Sequence, residues 1–300
     1  MRLAVTGGGG FIGSHVVDQL HAAGHTVVVV DARHSHRADV EHAAADLRDL
    51  DSLIAATRGC DAIFHLAAVA NVNDVFASPV DSVDVNVAGT ARMLEAGRHN
   101  SVERVLFAST VWVYGSAVGD GDLREDALID PQLPAHLYTT SKIASELVIR
   151  SYEELYGVPF TILRYGVPFG PRMRDELVIP RFVRMALENQ TITVDGDGKQ
   201  FRNYVYVEDL AEAHVLALDA VARNEVFNLE GPAPVSLREM IAALESVLGR
   251  KIAVEYGPSR PGDYRGRPVS GRKAEKVLDW RPKTSFEEGL RRYVEWFTNG

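Results

Sequence analysis

From Arg2 to about Arg164, short apolar runs rich in β-branched residues alternate with helical segments. The strand-like runs are RLAVTG, HTVVVVD, DAIFHLAA, RVLFAST and FTILRYG. Helical stretches lie between them, near residues 11–23, 50–57, 79–98 and 137–156. Strands that are apolar throughout, rather than alternating, predict a parallel sheet covered by helices on both faces. Right-handed crossovers then give a doubly wound α/β fold, with ligands bound at the carboxyl ends of the strands.

Beyond Arg164 the rhythm changes. Gly and Pro cluster in YGVPFGPR and in YGPSRPGDYRGRP, and helices are expected near 176–188, 209–222, 236–248 and 286–297. Two short strands, near 204–207 and 226–229, are expected to return to the sheet. The division this implies is a sheet-based domain of residues 1–165 plus about 204–230. A smaller interleaved C-terminal lobe of about 166–203 and 231–300 completes it.

Three hundred residues suit one large α/β unit with a smaller lobe. The chain is 46% hydrophobic and 24% charged, which is ordinary for a globular protein with a sizeable core. Its net charge of -9 has no basic stripe to offset it, which argues against nucleic acid as a partner. The single cysteine, Cys60, excludes an internal disulfide and a cysteine-based zinc site, and no metal site is expected. Apolar runs fall well short of a membrane span and no signal peptide is visible, so the expected location is the cytoplasm.

MRLAVTGGGGFIGSHVVDQL sets four glycines between the first strand and the first helix. Gly8, Gly10 and Gly13 fit G-x-G-x-x-G, while Gly7, Gly10 and Gly13 fit G-x-x-G-x-x-G. Either spacing permits a tight turn and lets a pyrophosphate approach the backbone, and Gly13 lets helix and strand pack closely. Phe11 and Ile12 open the helix whose free N–H groups would face the phosphates. The second strand ends in Asp31, about twenty residues on, where a carboxylate can bind an adenosine ribose and repel a 2′-phosphate. These features predict a Rossmann-type domain holding NAD rather than NADP.

FASTVWVYG delivers two hydroxyls, Ser109 and Thr110, to the end of an apolar strand. HLYTTSKIASELVIRSYEELYG reads as a helix with Tyr138 and Lys142 on one face, four residues apart. An ammonium near a phenol favours phenolate and is expected to lower the tyrosine pKa. With the threonine hydroxyl on the same substrate oxygen, the set can take a proton from an alcohol while a nicotinamide accepts hydride from its carbon.

With these pieces in place, the chain resembles the extended short-chain dehydrogenases/reductases, the family of NAD-dependent nucleotide-sugar epimerases and dehydratases. The resemblance spans essentially the whole sequence. It rests on TGGGGFIG, VVDA, DLRD, HLAA, NVAGT, STVWVYG, YTTSK, RYGVPFGP, FRNYVYVEDLAEAH, RPGDYR and DWRPKTSFEEGL. It implies catalytic places for Thr110, Tyr138 and Lys142. It puts Asp46 and Leu47 at the adenine, Leu66, Ala67 and Ala68 beside the phosphates, and Tyr165 beside the nicotinamide. Asn86 matches a structural asparagine of the cofactor site. Arg202 and Arg260 match arginines that grip a nucleotide diphosphate, which a pair of forked, always-charged donors suits. Asp263 matches an acid that meets the nucleotide ribose. Arg172 and Arg174 fall near the sugar end, where they either meet a charged sugar such as a uronic acid or cap the lobe. Val167 and Leu177 replace asparagines common in sugar epimerases, which weakens the match to a standard UDP-galactose or UDP-glucose ligand. A homodimer through the helices near 79–98 and 137–156 is also implied.

Within that family the residues after the threonine discriminate among reactions. A 4,6-dehydratase carries Asp-Glu there, and a decarboxylating relative carries Glu in the second place. Val111 and Trp112 can act as neither acid nor base. A 4-epimerase needs no such group, because its 4-keto sugar turns over in the pocket and takes the hydride back. The expected function is NAD-dependent C4 epimerisation of a nucleotide-diphosphate sugar, of the UDP-hexose or UDP-uronic acid class. The alternatives are a 4-ketoreductase or an epimerase at another carbon and, from another class, a non-catalytic NAD-sensing protein.

Overall fold

The structure, a computed structural model, describes residues 1–118, 122–130, 132, 136–258 and 268–299. The first half runs β1 (Arg2–Thr6), α1 (Phe11–Ala22), β2 (Thr26–Val30), β3 (Glu41–Ala43), α2 (Leu50–Ala56) and β4 (Ala62–His65). It continues through α3 (Val72–Ala77), α4 (Pro79–Val83), α5 (Gly89–His99), β5 (Arg104–Thr110), α6 (Leu137–Tyr156) and β6 (Phe160–Tyr165). Next come β7 (Val167–Phe169), α7 (Val178–Leu187), β8 (Ile192–Asp195), β9 (Phe201–Tyr206), α8 (Val207–Leu216) and β10 (Glu225–Leu229). β11 (Pro234–Ser236), α9 (Leu237–Leu248), β12 (Val254–Gly257), α10 (Arg272–Leu278) and α11 (Phe286–Asn299) complete the described chain.

Seven strands form one parallel sheet in the order β10-β6-β5-β4-β1-β2-β3. Every residue of β5 and of β6 is buried, the apolar centres of both strands and the polar residues at their ends alike, as helices on both faces require. The strand order reverses direction between β1 and β4, so a crevice opens where their carboxyl ends part. That crevice receives the glycine loop after β1, the segment after β4 and the hydroxyls at the end of β5.

The helix expected near 79–98 is three pieces: α4, a π-helical turn at Asp84–Ala88, and α5. The wide turn contains Asn86, whose side chain is used elsewhere, as described below. Of the two short strands expected to rejoin the sheet, only β10 does so. β9 pairs instead with β7 and β11 in a separate three-stranded sheet. The reason is steric: β5 and β10 occupy both edges of β6, leaving β9 no backbone to pair with there.

β9 and β7 help build a second core, where Phe169, Tyr204, Tyr206, Phe286 and Tyr293 pack together. The segment DWRPKTSF is fastened to the start of α8 by Asp209. The Asp209 carboxylate accepts from the backbone N–H of Lys283 and Thr284 at 3.0 and 2.8 Å. Its carbonyl takes the indole N–H of Trp280 at 2.8 Å. Among the described residues, no helix is long and apolar enough to cross a membrane.

Candidate active site

The glycine loop turns back on itself, with the Gly10 N–H donating to the Gly7 carbonyl at 2.9 Å. Gly7 has φ +72°, where a side chain is strained, and a Cβ there would lie 2.8 Å from the Ala67 nitrogen. A Cβ on Gly13 would lie 2.1 Å from the Gly7 oxygen, so helix and loop touch only because both lack side chains. Asp31 closes the outer side: its carboxylate accepts from the Gly9 N–H at 3.0 Å and the Arg33 N–H at 2.9 Å.

The segment after β4 is fixed from below. Thr6 Oγ1 accepts from the N–H groups of Leu66 and Ala67 at 3.2 and 3.1 Å and reaches His65 Nδ1 at 2.8 Å. His65 Nε2 lies 3.2 Å from Thr90 Oγ1, whose own proton goes to the Asn86 carbonyl. Burial, with the charge of Lys142 adding to it, pushes the His65 pKa down to about 3, so the ring is a neutral spacer. Asn86 brackets the segment's far end. Its amide accepts from the Val69 N–H at 2.8 Å and donates to the Val69 carbonyl and to Ser141 Oγ, both at 3.0 Å.

These elements surround a cavity of about 490 Å³. It is lined by the expected Gly7, Gly10, Phe11, Ile12, Gly13, Leu66, Ala67, Ala68, Tyr138, Lys142, Tyr165 and Arg174. An elongated dinucleotide fits this donor set: free N–H groups at the start of α1, a carboxylate beyond them, and a phenol and ammonium at the inner end. Asp31, Asp46, Leu47, Asn86 and Thr110 stand outside the lining. Asn86 acts through the segment it braces, and Leu47 is buried against Gly89. Asp46 accepts the Arg48 N–H at 2.9 Å. Thr110 adjoins the lining residue Ser109. Its Oγ1 accepts from the Trp112 N–H at 3.2 Å, which leaves the hydroxyl proton available to another oxygen.

Tyr138 and Lys142 share a face of α6, but their electrostatics differ from the expectation. Burial raises the Tyr138 pKa to about 12, and the cation opposing that rise is Arg174. The Lys142 ammonium is turned to the Ala108 carbonyl at 2.8 Å and lies 5.9 Å from the centre of the Tyr138 ring. Burial brings Lys142 down to about 8, with Glu146 pulling the other way. The lysine is therefore a cation beside the phenol that loses its proton at a lower pH than a free lysine does. Tyr165 is anchored below the sheet, its hydroxyl 2.5 Å from Nε2 of the buried His214.

Arg202 lines a separate cavity of about 280 Å³ with Arg181, Thr193, Gln200 and Tyr204. Arg260 and Asp263 lie outside the described residues. Arg172 adopts a left-handed backbone (φ 66°) and sends Nη2 to Asp18 on α1 at 2.7 Å, which ties the loop after β7 to the glycine-loop helix. Arg174 is 3.5 Å from Glu176. Sequence reasoning missed the Arg33–His36 stretch of the cavity wall, which carries no spacing signal. It also missed Glu146, which extends the Tyr138–Lys142 spacing by one more helical step.

Residues 3–229 match the NAD dependent epimerase/dehydratase family. A UDP-glucose 4-epimerase of Mycolicibacterium smegmatis is 33% identical over an alignment covering 100% of this chain and 99% of that protein. The UDP-glucose 4-epimerase of Thermotoga maritima, crystallised with UDP-glucose, superposes with a TM-score of 0.92 at 31% identity, covering 100% of this chain and 99% of that one. A dTDP-glucose 4,6-dehydratase of Streptomyces venezuelae, solved with NAD, superposes with a TM-score of 0.89 at 32% identity, covering 100% and 98%. Other superposed structures also hold NAD.

Proposed function

The chain belongs to the NAD-dependent epimerase/dehydratase family, with NAD as its cofactor, and on that premise we propose that it is a nucleotide-sugar 4-epimerase. One observation carries the choice of reaction. Val111 and Trp112 follow Thr110, and no carboxylate is found among the described residues lining the cofactor cavity. Elimination across C5 and C6 needs an acid and a base, and these positions provide neither. Trp112 instead sets its ring edge-on to Tyr138, with centroids 6.3 Å apart.

In this reading Tyr138 takes the proton from the sugar O4 while the Thr110 hydroxyl donates to the same oxygen. Bound NAD supplies a hydride acceptor that also gives the hydride back. Lys142, held by the Ala108 carbonyl, keeps a positive charge beside the phenol. The 4-keto sugar turns its other face to the cofactor, and Tyr138 returns the proton. The seven-stranded part, with α8 and α10 packed in its core, would hold the cofactor, and the rest of the chain after Tyr165 would hold the sugar nucleotide, with Arg202 on its diphosphate. Arg174 supports a place at the sugar end.

The test is to incubate purified protein, without added NAD, with UDP-glucose, UDP-galactose, UDP-glucuronate and UDP-galacturonate, and to separate the products. Interconversion of a C4 pair is expected. Steady consumption of NADH with a 4-keto nucleotide sugar, and no C4 interconversion of these four sugars, would reassign the protein as a 4-ketoreductase.

We also propose a homodimer. Support comes from α4 and α6, the helices expected to pair, which expose Val80, Leu147 and Leu155 at 80%, 61% and 69%. Sedimentation equilibrium should give twice the 32.9 kDa chain mass, falling to the single-chain mass in Leu147→Glu. A monomer in the unsubstituted protein would reject the proposal.

A further inference from the structure

Beneath the Tyr138–Lys142 pair lies a buried ion pair that the reaction as described does not use. Glu146 follows Lys142 by four residues, so Tyr138, Lys142 and Glu146 form one row along the inner face of α6. Arg164 on β6 grips both Glu146 oxygens, Nε to Oε1 at 3.0 Å and Nη2 to Oε2 at 2.6 Å. Both side chains are almost wholly buried, at 5% and 7% exposure. Ser109 donates its hydroxyl to Glu146 Oε1 at 2.5 Å, while the preceding Ala108 carbonyl holds the Lys142 ammonium. Two consecutive residues at the end of β5 thus bind the carboxylate and the ammonium in turn. Arg164 is itself fixed by the Tyr114 hydroxyl at 2.7 Å, and that hydroxyl meets Asn228 Oδ1 at 2.8 Å.

A buried ion pair adds little net stability over apolar residues of the same volume, so stability alone is a weak reason for it. Its position suggests another. We propose that Glu146, oriented by Arg164, is a positioning residue that keeps Lys142 protonated beside the tyrosine, and that through Ser109 holds the strand end carrying Thr110. This rests on the reading of Tyr138 and Lys142 as the catalytic pair.

The surroundings of Lys142 agree. On α6 it neighbours Tyr138 and Glu146; on β5, the Phe107 ring at 4.6 Å and the Ala108 carbonyl; on β4, the neutral His65; Ser109 and Tyr165 line the same cavity, and Arg164 pairs with Glu146. Arg174, from the loop after β7, faces Tyr138. Glu146 is the anionic group acting on the ammonium, and burial is what it opposes. Removing it strips that support and leaves the Arg164 charge unbalanced nearby. Both changes drive a proton off Lys142.

The chain has six lysines, which makes lysine labelled with ¹³C at Cε readable by NMR. Lys142 is identified by the signal lost in Lys142→Met. In Glu146→Gln its titration should move about 1–3 pH units lower, and the alkaline limb of turnover should move with it. If Glu146→Gln does not fold, the double variant Glu146→Leu/Arg164→Met removes both charges together and should still lower the Lys142 titration. An unshifted Lys142 in whichever variant folds overturns the proposal. The NMR readout needs no sugar substrate. A Tyr138→Phe variant that keeps its turnover would instead defeat the catalytic pair and leave the lysine titration standing on its own.

Discussion

Tyr138→Phe is expected to lose about 10²–10⁴-fold in turnover, the range a single well-placed proton donor and acceptor contributes. NAD should stay bound. The phenol lines the cavity from α6, while the N–H groups that suit the pyrophosphate line it from the glycine loop, with the Asp31 carboxylate just beyond them. The ring itself would persist in the variant and continue to pack against Trp112. Loss of turnover with full NAD content, read by releasing the nucleotide and measuring its absorbance, is the expected pair of results. Retained turnover would mean that a different group moves the proton. The pH dependence should be asymmetric. The phenol ionises toward a pKa of about 12 and the ammonium is lost near 8. The lysine contribution should therefore be present below about 8 and fade as pH rises through it.

Gly13→Ala should be as damaging, through binding instead of chemistry. The added Cβ would come within 2.1 Å of the Gly7 oxygen, 2.7 Å of the Gly7 carbonyl carbon and 2.9 Å of the Gly8 Cα. All three are backbone atoms, so no rotamer change relieves the overlap, and the loop must lift away from α1. Overpacking of this kind costs about 1–3 kcal/mol and occasionally more. The cost falls on the turn that presents its N–H groups to the pyrophosphate, and each 1.4 kcal/mol removes about tenfold in affinity. The variant should purify with little NAD and melt at a lower temperature than the unsubstituted protein. Stoichiometric NAD and an unchanged melting temperature would show that the loop does not hold the cofactor in this way.

The features legible in sequence are those with a short repeat. β1, β2, β4, β5 and β6 follow from apolar runs broken by helical spacing, and the Tyr138–Lys142 pair from a step of four, whereas the short, polar edge strand β3 left no such run. The glycine loop was legible because contact at Gly7 and Gly13 excludes side chains, which leaves its mark directly in composition. The departure of β9 into its own sheet was not legible, because it depends on β10 already filling the edge of β6. The π turn holding Asn86 was hidden within a helical pattern that continues through it. The Tyr138 pKa moved opposite to expectation because desolvation, a property of the folded surroundings, outweighs a nearby cation bonded elsewhere. The Arg164–Glu146 link joins residues from a strand and a helix, and no periodicity connects them.

The central claim is that a hydride leaves C4 and returns to the same carbon. It is tested most directly with whichever nucleotide sugar interconverts, prepared with deuterium at C4 and incubated without added NAD. The account predicts a C4 epimer that keeps its deuterium at C4 while the bound NAD is unchanged at the end. A C4 epimer that has lost its deuterium, or a 4-keto-6-deoxy or decarboxylated product, would contradict it.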